Sequence, residues 1–346
     1  GGRTGYTDPV RKIDVFNHIW PMPFFKRLEQ LSPNFEGMSR RTRQVPMMTD
    51  LDIRFRVMDN FEDYQQVLSL ASPPLEILGG PGNAAELARV ANDSLAELVD
   101  KHPDRFPGFI ASLPIVDGDA MLEETRRAME DLRAVGVQIF TNASGKPIDS
   151  EPFRELFRRM VKYDRPIWVH PTRGPNFPDY ASESKSKYEI WWTFGWPYET
   201  SVMMARLVFA KVFDELPTLK VITHHGGGMI PYFEGRVGPG WDQLGSRDNT
   251  EGYDRLLKEL KKRPLDYFRQ FYADTAVFGS RSATQCALDF FGPERVLFAS
   301  DAPFDPEKGP MYIRETIKVI DDLKLSEDVR RRIYGGNAET LLGLKP

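Results

Sequence analysis

Short, almost continuously apolar runs alternate with amphipathic stretches through most of this chain. The runs are KIDVFNHI from Lys12, QVLSLAS from Gln66, FPGFIASLPI from Phe106, GVQIFTN from Gly136, PIWVHP from Pro166, KVITHHGGG from Lys220, FYADTAVF from Phe271 and RVLFASDAPF from Arg295. Between them lie segments with helical periodicity, such as NAAELARVANDSLAELVDKH and DAMLEETRRAMEDLRAV. Strands buried on both faces under crossover helices read as unbroken apolar runs, whereas a sheet with one wet face alternates. Eight such units in strict alternation predict an α/β fold, a parallel (β/α)8 TIM barrel. A doubly wound open sheet is the alternative, but no G-x-G-x-x-G follows the first strand to support it. With no internal repeat, low-complexity tract or interdomain linker, residues 1–346 read as one domain.

Three stretches are too long for ordinary barrel loops: residues 20–65, 172–198 and 229–266. Each follows a strand, on the face where barrel enzymes keep their active sites, and loops of that length are expected to form lids or substrate walls. The second carries the aromatic cluster YEIWWTFGWPYET, in which Trp191 is a candidate wall for a planar substrate. Packing of the lid against the barrel accounts for the same residues equally well.

Composition removes several partners. The 46 basic and 50 acidic residues leave a net charge of −4, which argues against nucleic acid and anionic membrane. No apolar run approaches the ~20 residues of a membrane helix, and the opening GGRTGYTDPVRK has no apolar signal-peptide core. A single cysteine, Cys286, allows no internal disulfide and fits a reducing, cytoplasmic setting. It falls in a helical pattern, SATQCALDFF, where a buried inert thiol is the expectation.

Histidine is scarce and unevenly placed. Of five, His18, His170 and the pair His224–His225 stand at the carboxyl ends of the first, fifth and sixth runs, while His102 lies in the turn DKHPDRF. Asp301 ends the eighth run, in FASDAPF. Any one of them alone is an ordinary strand-end residue. Together at one rim they can share a divalent ion. Strand alternation allows only one of the adjacent pair to face the barrel mouth. His225, next to three glycines that permit close approach, is the expected site residue, and His224 the outward, packed one.

The texts IWVHPT, HGGGMIPYFEGR, ASDAPF and GGNAETLLGL, with the helical ETSVMMARLVFAKVFDELPTLKVITHHGGG, resemble the decarboxylase branch of the amidohydrolase superfamily. That group includes 2-amino-3-carboxymuconate-6-semialdehyde decarboxylase and γ-resorcylate decarboxylase. The resemblance implies His18, His170 and Asp301 as metal ligands, and His225 with Asp301 as catalytic residues. It also implies Arg54, in RFRVMD, binding a substrate carboxylate and Arg236 reaching a neighbouring subunit's site, so a homodimer or higher homo-oligomer is expected. The implied cofactor is zinc, with manganese as the alternative.

One position departs from that pattern. The family carries H-x-H or E-x-H on its first strand, where this chain reads F-N-H at Phe16 to His18. Phenylalanine has no lone pair, and alternation puts Asp14, Phe16 and His18 on one face, with Asn17 turned away. Either a reduced site of His18, His170 and Asp301 holds the ion with waters, or the ion is weak or absent and the histidine–aspartate set does acid–base chemistry without it. The expected activity is metal-dependent, non-oxidative decarboxylation of an aromatic or muconate-like acid. The alternatives are a metal-dependent hydrolase or hydratase for a lactone, amide or enol acid, and a non-catalytic small-molecule binder.

Overall fold

In the computed structural model, residues 9–32 and 44–346 are described. The opening glycines and the middle of the first long loop lie outside those residues. All eight runs contain strand, but the first is split: β1 spans Lys12–Asp14 and β2 His18–Ile19. The others are β3 (Tyr64–Leu70), β4 (Gly108–Ser112), β5 (Gly136–Phe140), β6 (Ile167–His170), β7 (Val221–Thr223), β8 (Ala273–Asp274) and β9 (Val296–Leu297). Every ladder between them is parallel, in the order β1-β3-β4-β5-β6-β7 with β2 also on β3, and β8 pairs with β9 in a separate two-stranded sheet. The architecture is a mixed α/β fold built on a curled parallel half-barrel. Single parallel bridges, Ile222 with Tyr272 and Asn17 with Ala302, join the two sheets where continuous ladders are lacking.

Alternation along each strand sorts its side chains into two layers. Leu68, Phe109, Val137, Val169 and Val221 pack outward with the helices, whereas Val67, Ile110, Trp168 and Ile222 meet Val15, Phe16 and Leu297 inside the curl. Buried on both sides, these strands have no reason to carry alternating polar residues. Helices such as Ala84–Lys101 and Phe153–Tyr163 cover the outer layer. Local chemistry fixes where helices start. The Asp50 side chain accepts from Ile53 N at the head of Leu51–Met58, and Ser280 does the same for Arg281–Phe291 through Ala283 N. Cys286 sits in the latter helix, half-buried, with burial raising its thiol pKa. Among the described residues, no helix is long and apolar enough to cross a membrane.

Beneath the strand ends lies a polar floor. Asp14 is fully buried and accepts from the backbone N–H of Phe16 and Ser300 and from the hydroxyls of Tyr64 and Ser300. Arg54, on the helix Leu51–Met58, is equally buried and donates to Gln66 Oε1 (2.6 Å) and to the backbone carbonyl of His18. Gln66 in turn donates to Tyr64 Oη, 3.0 Å away, which links the two ends. Burial pushes the Asp14 carboxyl up to about 6, against the pull of its four donors. It also lowers the Arg54 guanidinium to about 10, still fully charged at neutral pH.

These two groups give opposite signatures. A carboxyl whose pKa is raised on folding favours the fold most below its unfolded value of 3.8, and that contribution is lost as pH rises through about 6. Asp14→Asn should therefore gain stability relative to wild type between pH 4 and 7, by up to roughly 3 kcal/mol. Denaturant unfolding of both proteins across that range measures it, and a flat or falling difference would contradict it. Arg54→Ala leaves the buried Gln66 and His18 carbonyls without their donor and should destabilise by roughly 1.5–3 kcal/mol, the usual worth of a hydrogen bond from a charged group. A variant as stable as wild type in the same assay would show that the contact does not hold the floor together.

Candidate functional site

The floor carries the first strand's end upward into a pocket of about 430 Å³. His18, His170, His225 and Asp301 line its inner end, so the strand-end residues do converge. Asp301 is the hub. Its Oδ1 accepts from His18 Nε2 at 2.7 Å and its Oδ2 from His225 Nε2 at 3.2 Å. Burial alone would raise this carboxyl, but the hydrogen bonds and charges of His18 and His225 hold it well below the usual carboxylate range. Asp301 stays an anion. Burial disfavours a charged His225, yet its bond to Asp301 prevails and raises its pKa. His170 goes the other way: burial, with His18 and His224 nearby, keeps it neutral. Its Nδ1–H donates to the Pro171 carbonyl at 2.6 Å, which fixes the tautomer with a bare Nε2.

The adjacent histidines do not sort by alternation. Regular β geometry ends at Thr223, and His225 takes a left-handed backbone with φ 55°, as do Gly226 to Gly228 after it. A Cβ at Gly227 would sit 2.6 Å from the Phe291 ring, so this turn needs glycine for space as well as for φ. The twist brings His225 to the pocket without turning its neighbour outward. His224 is fully buried with its ring stacked on Phe16, centroids 3.6 Å apart and planes at 16°, and its Nδ1 donates to Asp274 Oδ2 at 2.8 Å. The expectation of an outward His224 is thus corrected. Asp274 escaped sequence reasoning although a carboxylate inside FYADTAVF was visible. Such a group in an apolar strand calls for a buried partner.

The second long loop supplies the outer wall with Glu189, Trp191, Trp192, Thr193, Trp196 and Pro197. The first contributes Trp20 and Met48, whereas residues 229–266 contribute nothing to the lining, unlike the expectation of a wall there. Phe278, at the end of the seventh run, Phe304, in the eighth, and Tyr312, outside all eight, complete the aromatic part of the enclosure. Arg54 lies behind this wall, holding the His18 backbone, and is not among the lining residues. Arg236 is exposed outside the pocket, with the ring of Phe233 5.8 Å from its guanidinium carbon. No lysine or arginine lines the pocket among the described residues.

A resident divalent ion is a poor fit to these donors. Phe16 stands amid four imidazoles, its centroid 4.7 Å from that of His18, 5.5 Å from His170 and 5.7 Å from His225, besides the stack on His224. The nitrogens of His18 and His225 nearest Asp301 are committed to that carboxylate. Among the described residues, no three histidine, cysteine, aspartate or glutamate side chains are arranged to hold a metal ion.

The chain is 31% identical over 315 residues to a γ-resorcylate decarboxylase of Rhodococcus jostii, covering 87% of this chain and 90% of that one. It is 29% identical over 298 residues to the 2-amino-3-carboxymuconate-6-semialdehyde decarboxylase of Dictyostelium discoideum, covering 86% and 77%. Its fold superposes with a TM-score of 0.81 on a 5-carboxyvanillate decarboxylase from Novosphingobium aromaticivorans, solved with manganese and 4-hydroxy-3-methoxy-5-nitrobenzoic acid. That structure is 25% identical, covering 99% of this chain and 98% of that one. The amidohydrolase family model matches residues 13–344, nearly the whole chain, and the protein belongs to that family.

Proposed function

We propose that the protein is a non-oxidative decarboxylase of an aromatic carboxylic acid, acting in the pocket headed by His18, His170, His225 and Asp301. The observation that carries the reading is the His225–Asp301 pair, an imidazole 3.2 Å from a buried carboxylate that raises its pKa, in a pocket with aromatic walls. The family relatives named above, decarboxylases of aromatic or muconate acids, support the same reaction class. In the proposed setting, the two short sheets belong to a closed eight-stranded barrel with the pocket at its carboxyl-terminal mouth.

The reaction breaks the bond between ring carbon and carboxylate, leaving the electron pair on the ring and releasing carbon dioxide. The ring carbon then takes a proton, so one proton is consumed for each carboxylate lost. His225 is placed to donate it, and Asp301 holds the imidazole in position and favours its charged form. Charge on His225, favoured by Asp301, would offset the carboxylate as it enters, since the described lining holds no lysine or arginine. Trp20, Trp191, Trp196 and Phe304 suit a flat ring by offset or edge-on contact. Arg236, exposed on the surface, is proposed to reach the site of a second copy in a homo-oligomer. His18, His170 and Asp301 are the side chains that zinc, or the manganese of a relative, would have to use. Because they do not fit a resident ion, no step is assigned to one.

Carbon dioxide release from a panel of hydroxybenzoic acids tests the reading, and turnover of at least one is expected. His225→Asn should then lower kcat by roughly 10²–10⁴, the usual value of a positioned proton donor. No release from any member, or full activity in the variant, would contradict it. Trp191→Ala should act differently, raising KM by about tenfold with a smaller change in kcat, as expected for lost stacking area. Unchanged KM would return Trp191 to a packing role.

A further inference from the structure

A divalent ion needs lone pairs that point at one spot, and the centre of this pocket's inner end is filled by a ring that has none. Phe16 is fully buried, with His18, His170, His224 and His225 all within 5.7 Å of its centroid. Its stack on His224 is near-parallel, and His224 is itself fixed by Asp274, whose other oxygen accepts from the backbone N–H of Gly226 and Ala276. The stack therefore has no freedom to swing aside. His224 keeps its Nε2 buried and without a hydrogen-bond partner among the described residues. Both Asp301 oxygens already accept from histidine nitrogens.

We infer that this chain holds no tightly bound divalent ion, because the Phe16–His224 stack, locked by Asp274, plugs the place a first-strand ligand would need. In relatives that bind manganese, the ion belongs to the protein; here a metal ion is at most a loosely exchanging visitor. The same geometry makes the plug convertible. The Phe16 ring lies 4.7 Å from that of His18 and 5.5 Å from that of His170, and its carbonyl accepts from Asp301 N, so an imidazole or carboxylate introduced there stands beside His18, His170 and Asp301 with the spare lone pairs that Phe16 lacks.

The inference uses the proposed function only to single out the pocket, and its test needs no turnover. Protein produced with added manganese or zinc is desalted and its metal content measured, and the desalted protein is titrated calorimetrically with manganese chloride. Wild type and Phe16→Leu, which keeps the position apolar, should retain well under one equivalent. Phe16→His and Phe16→Glu should bind at least about tenfold more tightly, since even an outer partner of a ligand is worth that much. His224→Phe, which preserves the stack without its nitrogen, should leave the wild-type result unchanged. One equivalent retained by wild type, or no gain in either donor variant of native circular dichroism, would overturn the inference. If both donor variants misfold, metal retention by wild type and loss in His224→Phe decides against it, and absence in both decides for it. Carbon dioxide release is unaffected by these outcomes as evidence, so a failed decarboxylase reading and a failed metal reading are told apart.

Discussion

The arrangement depends on one buried carboxylate. Asp301 comes from the end of the chain's last apolar run, and its two oxygens accept hydrogen bonds from His18, near the start, and His225, two-thirds of the way along. An unpaired charge at that depth would neutralise itself. The two imidazoles prevent this, and the anion in return keeps His225 inclined to carry a proton. A backbone hydrogen bond from Asp301 N to the Phe16 carbonyl, and another from His18 N to the Ala302 carbonyl, bring the two strand ends into register. The chemistry and the joining of first and last strands thus use the same few residues.

Under that hub the structure spends polar groups on position. Arg54 fixes the His18 backbone rather than meeting a ligand, and Asp14 ties the first strand to Ser300 and to Tyr64. Above it aromatic rings share the walls with Met48, Val277 and Glu189. In the proposed reaction an entering aromatic acid would meet ring edges and the His225 imidazole, whose pKa Asp301 raises. Phe16 extends this apolar character inward among the four imidazoles.

The eight strand-bearing runs were legible because burial on both faces makes a parallel strand apolar throughout, and no turn chemistry could disguise that. The convergence of His18, His170, His225 and Asp301 followed from position alone, since strand ends of a curled parallel sheet meet at one rim. His224 was misread for a local reason: alternation is a property of β geometry, and the left-handed residue after it ended that geometry one position early. Arg54 was placed at the substrate by resemblance, and nothing in its sequence neighbourhood shows that its helix turns it toward the first strand's backbone. Tyr312 had no signal, because it reaches the pocket from a segment whose packing is decided by the tertiary fold, whereas Phe278 closes the seventh apolar run, FYADTAVF. The loop at 229–266 shows that length after a strand is permission to line a pocket, not a requirement.

Decarboxylation with proton delivery at the closed end leaves a mark on the product. An aromatic acid labelled with carbon-13 in its carboxyl group, incubated with the enzyme in deuterium oxide, should yield labelled carbon dioxide and an arene with one deuterium at the vacated carbon. Magnetic resonance of the product reads both at once. Recovery of the labelled carbon in an organic product, or deuterium absent from the vacated position, would contradict the account.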